Sequence, residues 1–171
     1  MKQKNAVLKL SISGVLCAVA VMGSFLSFPV LGSKCAPIQH MVNVLCAVLL
    51  GPWYAVGTAF SASLLRNLLG LGSFMAFPGS MFGALLAGLL YAKSQKTIFA
   101  LVGEMFGTGI IGGSVAYPVS ILLMGNAAGS IAFYAYVIPF LISTVAGALL
   151  AGMIVLTLEK QNVLSRIKSK M

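Results

Sequence analysis

The sequence predicts an all-α integral membrane protein, a bundle of six transmembrane helices with both termini in the cytoplasm. Of its 171 residues, 60% are hydrophobic and 8% are charged, whereas a soluble domain carries roughly 25% charged residues. The chain therefore cannot cover itself with a water-facing surface. Its apolar residues also fall into six runs separated by glycine, proline and charge, and about 20 apolar residues in a helix cross the hydrocarbon.

The six predicted segments cover about residues 7–31, 37–50, 53–69, 74–92 and 97–124, and a last stretch that follows the glycine-rich loop at 125–129 and ends near residue 160. Gly51 and Pro52 end the second segment, because proline cannot extend the N–H ladder of a helix. The fifth segment is expected to be interrupted by the glycine pair at 112–113 and by Pro118. We expect one transmembrane domain over residues 1–171, with short basic cytoplasmic tails at about 1–6 and 159–171.

The positions of Lys and Arg predict the orientation, because these residues are retained in the cytoplasm when they lie beside short loops. Six spans leave only Lys34 and Arg66 on the side opposite the termini. The nine cations on the side of the termini are Lys2, Lys4, Lys9, Lys93, Lys96, Lys160, Arg166, Lys168 and Lys170. Five spans would place basic clusters on both faces, so the charges favour six spans in the cell membrane.

Composition excludes several classes of function. Two Glu and no Asp leave no paired carboxylates for a metal cage or for metal-dependent phosphotransfer. Three cysteines without CxxC spacing and a single histidine argue against zinc, and no cofactor is expected. The net charge of +9 lies between apolar runs rather than on one face, so no nucleic-acid partner is expected. The sequence has no ATP-binding loop, so ATP-driven transport would need separate ATPase subunits.

Polar side chains inside the apolar segments are the main functional signal. An ionisable group near the bilayer centre costs about 2.5–3.5 kcal/mol and tends to face an interior cavity. Three places stand out: the start of the second helix, where separations of three and four put the side chains on one face, the end of the third, and the fifth. Their polar residues are Gln39, His40, Asn43, Arg66, Asn67 and Glu104.

Distance along each helix predicts how deep these residues lie. Gln39 to Asn43 lie within a turn or two of the outer surface, and Arg66 lies roughly 20 Å from the cytoplasmic face at about 1.5 Å per residue. Glu104 lies about 10 Å from that face. The first two groups are therefore expected to share an outward-facing cavity. Glu104 is expected at its floor or below it, kept neutral or paired with Arg66.

Small residues spaced by four recur along the helices, and in lipid such stripes let helix backbones approach closely. Most of them are expected to pack within the bundle. Gly14 and Ala18 lie on a terminal helix that could leave one face free. They are therefore the best candidates for docking against another membrane subunit.

Three long stretches resemble a known family. They are PIQHMVNVLCAVLLGPWYA, SLLRNLLGLGSFMAFPGSMFGALLAGLLY, and GEMFGTGIIGG followed by AYP. In this order they resemble ThiW, the thiazole-specific substrate-binding (S) component of energy-coupling-factor (ECF) transporters. The resemblance is densest from about residue 37 to residue 117.

The resemblance implies a six-helix S component that captures hydroxyethylthiazole, a thiamin precursor, from outside the cell. Such a component works with a transmembrane coupling subunit and a pair of ATP-binding-cassette (ABC) ATPases, and topples in the membrane to release its ligand inward. In that family the small-residue stripe of the first helix docks on the coupling subunit. Gly14 and Ala18 are the matching positions here.

The expected ligand site lies in the outer half, between the loop at 34–37 and the second, third and fifth helices. His40 or Asn43 is expected to donate to the ring nitrogen, and Gln39 or Asn67 to hold the hydroxyl. Tyr117 is the main candidate to stack on the ring, with Phe74 and Phe77 as further candidates. Glu104 would accept the hydroxyl proton if the cavity is deep. The candidate site residues are thus Gln39, His40, Asn43, Asn67, Glu104 and Tyr117.

Two other functions stay open from the residues alone. A proton-coupled secondary carrier of a small heteroaromatic would use Glu104, since acids within spans often mark proton pathways. An intramembrane enzyme would pair His40 with Ser73 or Ser80. No nucleophile motif accompanies that pair, so enzyme activity is not expected.

Overall fold

The computed structural model describes residues 2–31, 33–127 and 132–170. Residues 128–131, in and beside the glycine-rich loop predicted at 125–129, lie outside the described residues, as do the first and last residues of the predicted tails. The helices are α1 (Lys2–Met22), α2 (Pro37–Leu50), α3 (Pro52–Leu68), α4 (Ala76–Ser94), α5 (Thr97–Glu104), α6 (Gly113–Met124), α7 (Val137–Lys160) and α8 (Val163–Ser169). A π-helical segment, Met105–Gly112, joins α5 to α6. An antiparallel hairpin of β1 (Phe28–Val30) and β2 (Ser33–Cys35) lies between α1 and α2.

Successive long helices run in opposite directions and pack side by side, so the bundle has two distinct ends. One end carries the β-hairpin and the turn between α3 and α4, and we call it the hairpin end. The other end carries α8, whose Leu164 is buried and whose Lys168 Nζ donates to the Tyr91 hydroxyl at 2.7 Å. Thr97 Oγ1 donates to Glu159 at 2.6 Å on the same side. We call it the α8 end.

Three helical stretches are long and apolar enough to cross a membrane: Asn5–Leu26, Thr97–Met124 and Val137–Lys160. The other main helices are shorter, with 14 residues in α2, 17 in α3 and 19 in α4. Pro52 stands at the first turn of α3, where its missing N–H has no partner to lose. The predicted all-α membrane class agrees with this architecture.

The prediction that the first helix extends to about residue 31 is wrong. Helix α1 ends at Met22, and a 3₁₀ turn over Gly23–Leu26 leads into the hairpin. Pro29 has no N–H to donate and disfavours helical backbone at the residue before it. A Cβ at Gly23 would lie 2.5 Å from Ile38 Cβ, so glycine is needed where the end of α1 meets α2.

The predicted interruption of the fifth helix is wrong at Pro118, and at the glycine pair 112–113 the helix changes type without breaking. Thr97–Met124 forms one continuous helical column, and Pro118 lies inside α6. The irregular part is the π-helical segment that ends at Gly112. Such a segment accommodates an extra residue without ending the helix and often occurs at functional sites.

Helix α4 packs against this column through glycines on both partners. A Cβ at Gly103 would lie 2.8 Å from the Ala87 backbone N, and a Cβ at Gly107 would lie 2.5 Å from the Phe82 carbonyl oxygen. Backbones this close exclude any side chain at the crossing. The small-residue stripes of these helices therefore pack within the bundle, as expected.

This crossing can be tested with Gly107→Ala. The added methyl has backbone atoms on its far side, and overpacking of this kind costs about 1–3 kcal/mol. We expect a clear fall in the thermal unfolding temperature of the detergent-purified protein. Gly57→Ala is the matched control, because nothing lies within 4 Å of the Cβ position at Gly57. Equal unfolding temperatures for the two variants would contradict the tight crossing.

Candidate functional site

A cavity of about 40 Å³ lies at the hairpin end, with room for about three waters at 10–15 Å³ each. The hairpin, α2, α3, α4, α7 and the turn between α3 and α4 all contribute to its wall. The lining residues are Ser33, Lys34, Ala36, Gln39, His40, Arg66, Gly72, Ser73, Met75, Ala76, Gly79, Ser80, Phe140 and Ser143.

Hydrogen bonds hold the hairpin against α7. The Ala36 backbone N–H donates to Ser143 Oγ at 2.8 Å, and the Cys35 thiol donates to the Pro139 carbonyl at 3.2 Å. Both groups lie directly after or within β2. The hairpin therefore forms one wall of the cavity and is fixed to α7 through its second strand.

Asn67 holds the turn between α3 and α4. Its Nδ2 donates to the Ser63 carbonyl at 2.8 Å and to the Ser73 carbonyl at 3.1 Å. The backbone N–H groups of Leu71 and Gly72 also donate to the Arg66 carbonyl. Asn67 does not line the cavity, and both N–H groups of its amide are already used. Its observed role is to position the turn.

Glu104 forms the centre of a buried polar network next to the cavity. Its side chain is fully buried, and its Oε1 lies 2.9 Å from His40 Nδ1. The same oxygen accepts from Asn43 Nδ2 at 3.0 Å and from Thr108 Oγ1 at 2.9 Å. This one carboxylate oxygen therefore has three side-chain partners, two from α2 and one from the π-helical segment. The expected pairing of Glu104 with Arg66 is wrong, because His40 occupies that role.

The network continues to Arg66 through two amides. Asn43 Oδ1 accepts from Gln39 Nε2 at 3.2 Å, and Gln39 Oε1 lies 3.4 Å from Arg66 Nη1. Asn43 Nδ2 also donates to the Ser80 carbonyl at 3.0 Å. Both Asn43 N–H groups are therefore used, so the predicted donation from Asn43 to a ligand has no free hydrogen.

Glycines make room for the two ionisable groups. A Cβ at Gly83 of α4 would lie 2.6 Å from Glu104 Oε2, and a Cβ at Gly147 of α7 would lie 2.6 Å from His40 Cβ. Larger residues at these positions would push Glu104 and His40 apart from their partners. The glycine stripes thus serve the polar network as well as the helix crossing.

The predicted residues divide by position. Gln39 and His40 line the cavity, and His40 Nε2 has no hydrogen-bond partner among the described residues. Asn43 and Glu104 lie behind them, at the floor. Glu104 contacts these α2 residues but does not line the cavity, in agreement with the expectation that it lies at the floor of the cavity or below it.

The predicted aromatic residues lie outside the cavity wall. Tyr117 packs in a side cluster with Tyr136, Phe74 is about half exposed, and Phe77 contacts Phe60 with ring centroids 5.6 Å apart. Phe140 of α7 supplies the aromatic wall instead. Phe140 could not be singled out from the sequence because neighbouring helices decide which ring faces the cavity, although Ser143 and Thr144 are polar signals on the same helix.

A family model described as thiamine-precursor transporter protein (ThiW) matches residues 10–161. The match covers most of the chain, so the protein belongs to the ThiW family and the resemblance seen in the sequence is confirmed. Membership of a transporter family gives the protein a small-molecule substrate, a thiamine precursor, and a membrane setting. No curated protein and no solved structure matches the chain.

The network can be tested with Glu104→Ala. The change leaves the buried donors of His40, Asn43 and Thr108 without their acceptor, and each unpaired group costs about 1–3 kcal/mol. We expect the thermal unfolding temperature to fall by about 5 °C or more, at about 2–4 °C per kcal/mol. Glu159→Ala removes the other acid, which is partly exposed and whose side chain bonds Thr97 as its one partner among the described residues. This change should lower the unfolding temperature far less. Similar falls in both variants would contradict the network.

Proposed function

We propose that this member of the ThiW family is the substrate-binding S component of an ECF-type ABC importer and that it captures hydroxyethylthiazole from outside the cell. The cavity at the hairpin end is the observation that carries this proposal. It places an aromatic wall, Phe140, beside a few convergent polar groups, Gln39, His40 and Arg66. Sites for small ligands are generally built this way.

In this proposal the chain is a single transmembrane domain with six spans: α1, α2, α3, α4, the α5–α6 column and α7. The α8 end then faces the cytoplasm together with both termini. The positive-inside rule supports this orientation, because Lys34 and Arg66 are the only cationic side chains of the described residues that lie toward the hairpin end. Helices α2 and α3 rise only about 21 and 26 Å; α2 is almost entirely buried, so mostly protein rather than lipid surrounds it.

His40 is the principal polar contact in the proposed pose. Its Nδ1 is engaged with Glu104, which fixes the ring and leaves Nε2 for the ligand. Nε2 donates to the thiazole nitrogen when the imidazole is charged and accepts the hydroxyl proton when it is neutral. Gln39 holds the hydroxyl, and Phe140 rather than Tyr117 stacks on the ring. Asn43 and Glu104 orient His40 and do not contact the ligand.

Binding requires the cavity to enlarge, because about 40 Å³ holds waters but not a substituted five-membered ring. The hairpin is the element that moves in this proposal. Among the described residues, two hydrogen bonds join this part of the chain to α7. One comes from Cys35 of β2 and the other from Ala36, the residue after β2. Breaking them opens the cavity toward the outside without disturbing the Glu104 network.

Energy coupling uses the exposed face of α1. Gly14 and Ala18 are exposed in the isolated chain, and nothing lies within 4 Å of a Cβ position at Gly14. A helix of the transmembrane coupling subunit can approach such a face closely. The ABC ATPases bound to that subunit then drive release of the ligand to the inside.

A proton-coupled carrier of a small heteroaromatic is the second candidate. The specific observation in its favour is the buried His40–Glu104 pair, since titratable pairs inside membranes often carry protons. In that mechanism the pair would gain or lose a proton as the ligand crosses. The protein would then accumulate ligand without any partner.

Orientation is tested by cysteine labelling with a membrane-impermeant maleimide. Lys34→Cys should be labelled in intact cells and Lys168→Cys only after permeabilisation. The three native cysteines are buried, which keeps the background low. Labelling of Lys168→Cys from outside would contradict the six-span arrangement.

Ligand binding is tested by calorimetry with hydroxyethylthiazole. His40→Ala removes one buried polar partner, at about 1–3 kcal/mol, so affinity should fall roughly 5- to 150-fold at about 1.4 kcal/mol per decade. Gln161→Ala, at the α8 end, is the control and should bind like the parent.

Two matched variants test in the same assay which aromatic ring contacts the ligand. Phe140→Leu should weaken binding more than Tyr117→Leu. A parental affinity in His40→Ala, or a larger loss in Tyr117→Leu, would contradict the proposed pose.

Coupling is tested with Ala18→Leu, whose added isobutyl group blocks close helix approach. The variant should bind ligand normally but fail to co-purify with the coupling subunit and ATPases. Ala92→Leu adds the same group at an exposed position on α4 and should assemble. Accumulation driven by a proton gradient in liposomes holding this protein alone would instead favour the carrier.

A further inference from the structure

We propose that Arg66 is the centre of an anion subsite in the cavity, so that a form of the thiazole that ends in an oxyanion, a phosphate or a carboxylate, binds more tightly than the neutral alcohol. This inference rests on the proposed function in one respect, namely that the ligand contains a thiazole ring. The anion itself is inferred from the contacts and charges around Arg66.

Arg66 is a buried guanidinium with almost no partners. The residue is 3% exposed, yet it lines the cavity. Its one side-chain hydrogen bond to a described residue is the long 3.4 Å contact from Nη1 to Gln39 Oε1. Its Nε is buried and has no hydrogen-bond partner in the part of the chain that the structure describes. A guanidinium carries five N–H donors, so most of its bonding capacity remains for something in the cavity.

No carboxylate of a described residue forms an ion pair with Arg66. The chain has two acidic side chains. Glu104 accepts from His40, Asn43 and Thr108 through Oε1, and its Oε2 has no hydrogen-bond partner among the described residues, Arg66 included. Glu159 bonds Thr97 at the α8 end. An unpaired buried charge is strongly unfavourable. A ligand that carries a negative charge would remove this penalty, whereas a neutral alcohol would not.

The surroundings of Arg66 fit an oxyanion. Lys34 of the hairpin lines the same cavity, and no acidic residue does. Gly72 packs against the stem of Arg66, with its Cβ position 3.2 Å from Arg66 Cβ, which limits where the guanidinium can move. A planar guanidinium matches the two oxygens of a carboxylate or phosphate with parallel hydrogen bonds.

The test compares three ligands by calorimetry on the full chain in detergent: hydroxyethylthiazole, its phosphate monoester, and the thiazole in which a carboxymethyl group replaces the hydroxyethyl group. We expect at least one of the two anionic ligands to bind the parent about tenfold or more tightly than the alcohol. The tighter of the two identifies the anion. Equal or tighter binding of the alcohol would overturn the inference and leave the proposed function intact.

Variants assign the preference to the subsite. Arg66→Gln should abolish the preference for the anion, Arg66→Lys should retain part of it, and Lys93→Gln, a cation at the α8 end, should leave it unchanged. If Arg66→Gln does not fold, Lys34→Gln at an exposed position must reduce the preference. The inference would be overturned if folded Arg66 variants kept the full preference for the anion. If Arg66→Gln does not fold, an unchanged preference in Lys34→Gln would overturn it.

Failure of the proposed function gives a different result. If none of the three thiazoles binds, that function is wrong, and inorganic phosphate decides the inference. Millimolar phosphate should then raise the unfolding temperature of the parent but not of Arg66→Lys or Lys34→Gln. The absence of any such stabilisation would overturn the anion subsite as well.

Discussion

The fold depends on one buried oxygen, Glu104 Oε1, which binds donors from α2 and from the π-helical segment. Burying a polar oxygen is costly unless it is hydrogen-bonded, so these two elements converge on it. Glycines on α4 and α7 permit the convergence, because Gly83 and Gly147 leave space for Glu104 and His40. The tight helix crossings therefore follow from the polar centre as much as from helix packing in lipid.

The same network separates support from recognition. Asn43 and the Oε1 of Glu104 bond within the protein, while His40 and Arg66 line the cavity and keep nitrogens without a partner among the described residues. The side-chain amides of Asn43 and Gln39 connect Glu104 to Arg66 through hydrogen bonds. This division gives a rigid floor below a cavity whose other walls, the hairpin and the turn after α3, are held by few hydrogen bonds.

Local patterns predicted the all-α class, the helix boundary at Gly51 and the polar face of α2. They did not predict the hairpin, because its first strand lies within the apolar run that continues from α1 and each of its strands has only three residues. They also placed the aromatic wall wrongly. Whether Tyr117 or Phe140 faces the cavity depends on how α6 and α7 pack beside α2, and no spacing within one helix encodes that contact. Depth counting likewise left the contact of Glu104 with α2 undecided, since tilt and the π-helical segment change its height.

The central claim is that this ThiW-family protein holds a thiazole precursor against His40 at the hairpin end. Mass spectrometry of the small molecules that co-purify with the protein from thiamin-synthesising cells tests it most directly. The account predicts a thiazole in near-stoichiometric amount with the parent and its loss from His40→Ala. An unrelated molecule in that amount, or a thiazole retained equally by His40→Ala, would contradict it.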